Sequence, residues 1–147
     1  MLARIFKFPL MCLFAVSSIV AQAEHEEFLG LWKTIDDETK KPRSVVEIYL
    51  DKGQLQGNIV KIFSAPDESK DPLCEQCKDE LHNNRIIGMQ IISDMQFKKG
   101  QWKNGEILDP KNGKLYDCKI WLDDDRLKVR GYVGFFFRTQ EWIRFIE

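Results

Sequence analysis

The sequence predicts an all-β fold, an antiparallel up-and-down β-barrel of about eight or nine strands. Three features carry that prediction. Segments rich in Val, Ile, Phe, Tyr and Trp recur along the chain, turn signals separate them at short intervals, and no long amphipathic helix interrupts them. A meander of sequential hairpins closes most simply on itself, because closure leaves no exposed sheet edge. A two-sheet sandwich is the competing architecture, and it is disfavoured because every connection but one is short.

The elements follow in order. The first strand is expected at 28–34, FLGLWKT, ahead of the polar turn DDETKKP. Residues 44–50, SVVEIYL, suit a pleated, half-buried surface. Asp51-Lys52-Gly53 turns the chain through a glycine that can take positive φ, and 55–63, LQGNIVKIF, returns antiparallel. The segment 64–84 is the long connection, with the length of a functional loop or of one holding a short helix. Strands resume at 85–93, RIIGMQIIS, and at 95–97. Lys99-Gly100 and Asn104-Gly105 read as punctuation between strands, and 106–108 leads into the turn DPKNGK. Residues 115–122, LYDCKIWL, and 126–133, RLKVRGYV, flank an Asp123-Asp124-Asp125 tip, and 135–145, FFFRTQEWIRF, completes the sheet.

Residues 1–23, MLARIFKFPLMCLFAVSSIVAQA, have the anatomy of a secretory signal peptide. Arg4 and Lys7 form a basic start, 9–20 is apolar and uncharged, and Ala21-Gln22-Ala23 is a cleavage site. The apolar run falls short of the roughly 20 residues a membrane-spanning helix needs. Cleavage is therefore expected in preference to an uncleaved anchor, with Cys12 lost and residues 24–147 forming one domain. The expected location is the periplasm, with secretion as the alternative. Without Arg4 and Lys7, carboxylates outnumber the basic side chains, and the signs are interspersed. No basic block exists to bind nucleic acid.

The pair Cys74-x-x-Cys77 sits in the long loop. In an exported protein such a pair tends to oxidise, and the expected outcome is a local disulfide that orders the loop. Zinc held by Cys74, Cys77, His82 and Cys118 is an alternative, although the second ligand doublet is missing. A redox centre is another, disfavoured by an all-β setting and by the carboxylates of Asp71, Glu75, Asp79 and Glu80. Cys118 lies on the apolar face of its strand and is expected to be a buried free thiol. The Asp36-Asp37-Glu38 and Asp123-Asp124-Asp125 turns read as solvated, and His25 is expected in a mobile N-terminal stretch. No catalytic set, metal site or cofactor is implied.

Gly30-Leu31-Trp32 on the first strand, with an arginine on the last, resembles the arrangement of lipocalin-like barrels. There the tryptophan plugs one end and a basic side chain packs over it. Trp32 would be the plug and Arg138 or Arg144 the cover, while an ordinary core tryptophan remains the plainer reading. The interior candidates for contacting a ligand are Tyr116, Ile120 and Leu122, with Leu127 and Val129 from the neighbouring strand. Phe135, Phe136 and Phe137 cannot all face inward from an extended strand. At least one should line the mouth, touch a partner or meet a membrane surface, unless a bulge folds all three under the rim.

The stretches GLWKTIDDETKKPRSVVEIY, RIIGMQII, GEILDPKNGKLYDCKI and LKVRGYVGFFFRTQEWIR, with the CxxC loop between, resemble one bacterial family. It is domain-of-unknown-function family 2147, made of small exported proteins. The similarity runs from Gly30 to Arg144, and ILDPKNGK, LKVRGY and RTQ-x-W are its specific motifs. The resemblance implies a topology similar to lipocalin barrels. The family has no established activity, so it carries over no catalytic residue. The reading that follows is a non-enzymatic exported protein binding a small apolar or amphipathic ligand. The rival is a cell-envelope interaction protein with a filled barrel, working through its loop and aromatic rim on an envelope protein or a membrane surface.

Overall fold

A computed structural model describes residues 24–147. The expected signal peptide at 1–23, with Cys12, lies outside the described residues. Eight strands run in chain order: β1 Gly30–Ile35, β2 Pro42–Asp51, β3 Gln54–Ile62, β4 Gln90–Lys98, β5 Gln101–Asp109, β6 Lys114–Asp123, β7 Arg126–Val133 and β8 Phe136–Arg144. Each pairs antiparallel with the next, and β8 returns to β1 to close a barrel.

Two strands differ from the sequence reading. β4 starts at Gln90, because 85–89 folds back on the long loop, where the Ile86 N–H donates to the Pro72 carbonyl. β4 then runs unbroken through 95–97, with Asp94 in the left-handed region at φ 57°. Asn104-Gly105 is a bulge inside β5 and not a turn. Asn104 has φ 59°, and the register with β6 shifts between Trp102 and Gly105. Gly105 is there because β4 passes too close for a side chain. A Cβ at that position would lie 2.2 Å from the Ser93 carbonyl oxygen.

With strands alternating in direction, the connections sort to two ends. The turns at 52–53, 99–100 and 124–125 sit at one end, together with residues 24–29. The loops at 36–41, 63–89, 110–113 and 134–135 sit at the other.

The first end is plugged. Trp32 is buried, and its indole N–H donates to the Phe28 carbonyl at 2.8 Å. The Arg144 guanidinium lies 3.9 Å from the Trp32 ring centroid, and its two Nη groups donate to the Leu29 and Glu27 carbonyls. The register makes Arg144 the partner, since β1 and β8 set Trp32 opposite Arg144. Arg138, the other candidate for this role, lies six residues nearer the opposite end. His25 is not free: its ring meets Phe97 at 4.5 Å and Trp102 at 5.1 Å between centroids. Leu55, Ile92, Met95, Trp102, Ile120 and Leu127 fill the interior behind this plug without solvent exposure.

The β1–β8 seam is short. Its pairs are Trp32–Arg144, Lys33–Ile143 and Thr34–Trp142, so toward the open end 136–141 pairs with β7 alone.

Trp32→Ala is expected to cost about 3–5 kcal/mol, the range for losing a large core aromatic. A denaturant midpoint equal to that of the unsubstituted protein would refute the plug. Arg144→Ala should add much less in the Trp32→Ala background than alone, because the two side chains share one contact.

Candidate functional site

Interior side chains become smaller from the plugged end to the open end. Along β1 the inward positions pass from Trp32 to Thr34, and along β2 from Ile48 through Val46 to Ser44. Along β7 they pass from Leu127 through Val129 to Gly131. The plugged half is therefore packed solid while the open half is not. A cavity of about 690 Å³ remains there.

The cavity is two-sided. Ile59, Ile62, Ile107, Val129 and Trp142 give it an apolar floor and wall, and the long loop adds Phe63, Pro72 and Ile86. A polar stripe follows β1, β2 and β8. The Thr34 and Ser44 hydroxyls share a hydrogen bond at 2.8 Å, and the Ser44 N–H donates to Thr34 Oγ1 at 3.0 Å. The Trp142 indole N–H donates to Gln140 Oε1 at 3.0 Å, and Gln140 lines the cavity. At the rim Arg138 pairs through Nε with Asp37, bridging the stretch where β8 has left β1.

The turn that carries Asp37 faces solvent, as read from sequence, and is ordered by its own hydrogen bonds. Asp36 Oδ1 accepts from the backbone N–H groups of Thr39 and Glu38 and from the Thr39 hydroxyl. The Thr39 backbone bond comes first among the causes that hold the Asp36 carboxyl below its ordinary value.

The long loop forms one wall of the mouth, and the cysteines pin it. Cys74 and Cys77 are joined in a disulfide with Cα atoms 5.3 Å apart, and both are buried. Cys74 also exchanges backbone hydrogen bonds with Asn84 and Asn83, at 2.8 and 2.9 Å. His82 Nδ1 lies 3.1 Å from the Cys77 carbonyl oxygen, beside a 3-10 turn at Asp79–Leu81. The stapled loop rests on the β5–β6 turn so closely that only glycine fits beneath it. A Cβ on Gly113 would lie 1.8 Å from the Gln76 carbonyl oxygen, and Gly113 has φ +70°.

With both thiols consumed, the zinc set of Cys74, Cys77, His82 and Cys118 is not available. Cys118 is a free, buried thiol on the inner face of β6, and burial pushes its pKa up to about 12. Among the described residues, no group of three or more His, Cys, Asp or Glu is placed to hold a metal ion.

Of the residues singled out from sequence, Tyr116 and Val129 line the cavity. The Tyr116 hydroxyl accepts from the Asn112 side-chain amide at 2.8 Å. Ile120 and Leu127 face the same interior from the packed half, and Leu122 is half-buried against it. Thr34, Ser44, Ile59, Ile62, Ile107 and Gln140 were not singled out, although the shrinking of inward side chains along β1, β2 and β7 is visible in the sequence. A second hollow of about 740 Å³ is bordered by the mixed charges of Lys103, Glu106, Asp117 and Lys119, with Tyr132 and Cys118 beside them.

Residues 30–144 match the family model described as an uncharacterized protein conserved in bacteria, DUF2147. The chain belongs to that family. Among solved structures, protein HP1028 from Helicobacter pylori, described as belonging to the lipocalin family, is similar with a TM-score of 0.67. The identity is 22%, over 81% of this chain and 83% of that one, so the likeness is one of fold. No curated protein matches the chain. This DUF2147 barrel thus has lipocalin-like architecture, and its residues must speak for its chemistry.

Cys12 aside, thiol titration should find no reactive group in the native, unreduced protein near neutral pH and one after unfolding. Three groups after unfolding would remove the disulfide. Because the folded Cys118 pKa is raised, its stabilisation is complete below the unfolded value of 9.0 and is lost as pH rises toward 12. Cys118→Ala should lack that share of the alkaline loss. Gly113→Ala should release the stapled loop, seen as faster amide exchange at 73–85 with the barrel strands still protected.

Proposed function

We propose that this protein is an exported, non-enzymatic carrier that holds a small apolar or amphipathic molecule in the open-end cavity. The observation that carries the reading is the cavity itself: about 690 Å³, with an apolar floor and one polar side. Ligand pockets typically run about 300–1,000 Å³ and combine apolar walls with a few polar groups that fix orientation. The rival reading, a barrel filled with side chains, fits the plugged half only.

The polar stripe supports an amphipathic occupant over a purely apolar one. A chain or ring lying on Ile59, Ile107 and Val129 would leave Thr34, Ser44 and Gln140 within reach of its polar atoms. Little supports an enzyme. His25 is packed into the plug, His82 is held at the loop, and Cys118 is neutral at ordinary pH. Export rests on the anatomy of residues 1–23, and a periplasmic location on the same ground.

A fluorescent fatty-acid probe should bind saturably at one site per chain. Val129→Phe, which grows into the cavity from its floor, should weaken binding by at least about tenfold, since filling the space costs the probe its apolar contact. Its melting curve should stay near that of the unsubstituted protein. An enlarged side chain at Ile120 would not serve, because that position lies in the packed half and overpacking typically costs about 1–3 kcal/mol. A folded protein with no saturable binding of apolar or amphipathic probes would end the carrier reading.

A further inference from the structure

The β7–β8 hairpin is built differently from the rest of the rim. Gly134, with φ +57°, and Phe135 form a two-residue turn between the paired Val133 and Phe136, and glycine at the first turn position suits a tight type II′ hairpin. Its apex is apolar and open to solvent. Phe135 is 101% exposed, Phe136 82%, Phe137 59% and Val133 57%. On the β8 side this hairpin has left the barrel wall, since β1 stops pairing at Thr34–Trp142. Phe136, Phe137 and Val133 also border the cavity mouth, so the exposed apolar surface runs into the apolar interior.

The charges around the apex are one-sided. From Arg126 to Gln140 the chain carries four basic residues and no carboxylate. Lys128 is neutralised by Asp123 and Glu141, and Arg138 by Asp37. Arg130 has no carboxylate partner among the described residues. Its guanidinium lies 4.2 Å from the Phe137 ring centroid and 4.9 Å from that of Trp121, and its Nε donates to the Thr139 hydroxyl. Lys119 continues the ladder over Trp121 at 5.7 Å.

We infer that the β7–β8 tip is a membrane-docking element, with Phe135 and Phe136 entering the apolar edge of a lipid leaflet and Arg130 meeting a lipid phosphate. A protruding aromatic apex fits a fluid apolar phase, whereas a protein partner would have to supply a matching pocket. An unpaired guanidinium stacked on the aromatic next to that apex stands where headgroup phosphates would lie once the phenyl rings are immersed. The inference rests on the carrier reading and adds its source: the ligand is an amphiphile exchanged with a bilayer through the mouth beside the tip. The rim carboxylates Asp36, Glu38, Glu68 and Asp109 lie on other connections, so attraction to anionic lipid is local to the hairpin and modest.

The test is sedimentation of the full chain with vesicles of phosphatidylcholine, alone or mixed with phosphatidylglycerol. The unsubstituted protein should partition into both and more strongly into the mixture. Phe135→Ser should lose about tenfold in partitioning, and Phe135→Ser with Phe136→Ser more, as expected for two exposed aromatics transferred to an apolar phase. Arg130→Gln should remove the preference for phosphatidylglycerol while keeping binding to phosphatidylcholine. In Phe135→Trp, lipid brominated along its acyl chain should quench the new indole. Phe135→Ser should keep the melting curve and the fatty-acid-probe affinity of the parent, because this ring stands outside the packed interior and the cavity lining. The double variant also changes the mouth residue Phe136, so it is read by its melting curve and its vesicle binding alone. No vesicle binding with intact probe binding would overturn the docking element and leave the carrier reading standing. Vesicle binding unaffected by the phenylalanine substitutions would overturn it equally. So would a concentration-dependent dimer that those substitutions abolish, since the tip would then serve a second copy of the chain.

Discussion

The stacking of Arg144 on Trp32 is the contact on which the barrel depends. A sheet closed from eight sequential strands has one seam between chain-distant strands, and here it is only three residue pairs long. Arg144 stands on that seam. Its plane covers the indole, and its Nη groups hold the carbonyls of the segment crossing the barrel end. A guanidinium suits this position because its planar fork satisfies two carbonyls while its face rests on an aromatic ring. Lysine would supply the charge without either geometry. One side chain thereby ties the first strand, the last strand and residues 27–29 into a unit.

Closing one end in this way decides what the other end can be. The space enclosed by eight strands can fill with side chains or hold one small molecule, and side-chain size chooses between them. Trp32, Trp102, Ile92 and Leu127 are among the large side chains that fill the plugged half. Serine, threonine and glycine stand where those strands approach the mouth, so the same barrel is a packed core at one depth and a vessel at another. The stapled loop then finishes the wall that the strands leave low. Its disulfide holds a backbone turn against Gly113, and the contact is so close that it depends on the missing Cβ.

Much of this was legible in the sequence, and the failures share a cause. Alternation along β6 and β7 marks their inward faces, and the short spacing of the cysteines makes a local bridge natural. Gly30-Leu31-Trp32 pointed to a plugged barrel, but choosing Arg144 over Arg138 required the β1–β8 register, which depends on both strands at once. Asn104-Gly105 looked like a turn because the dipeptide favours left-handed backbone. That preference is met by a bulge, and the reason for the glycine is the approach of Ser93 on another strand. Asp37 seemed merely solvated because its partner is 101 residues away in the chain. The half-barrel cavity is legible only by comparing depths across strands: the decline from Leu127 to Gly131 and from Ile48 to Ser44 is present in the sequence, but its meaning depends on which strand ends meet at the mouth.

The two ends of the described chain leave from the same pole. Residues 24–29 cross the plug, and the Phe145 N–H donates to the Leu31 carbonyl at 2.9 Å, so the last residues leave beside the first strand. A tether, a fluorescent reporter or a solid support joined to either end would therefore sit one barrel length from the vessel's opening. Such attachments orient the molecule as a cup stands on its base, with the aromatic lip free to approach a surface laid against it.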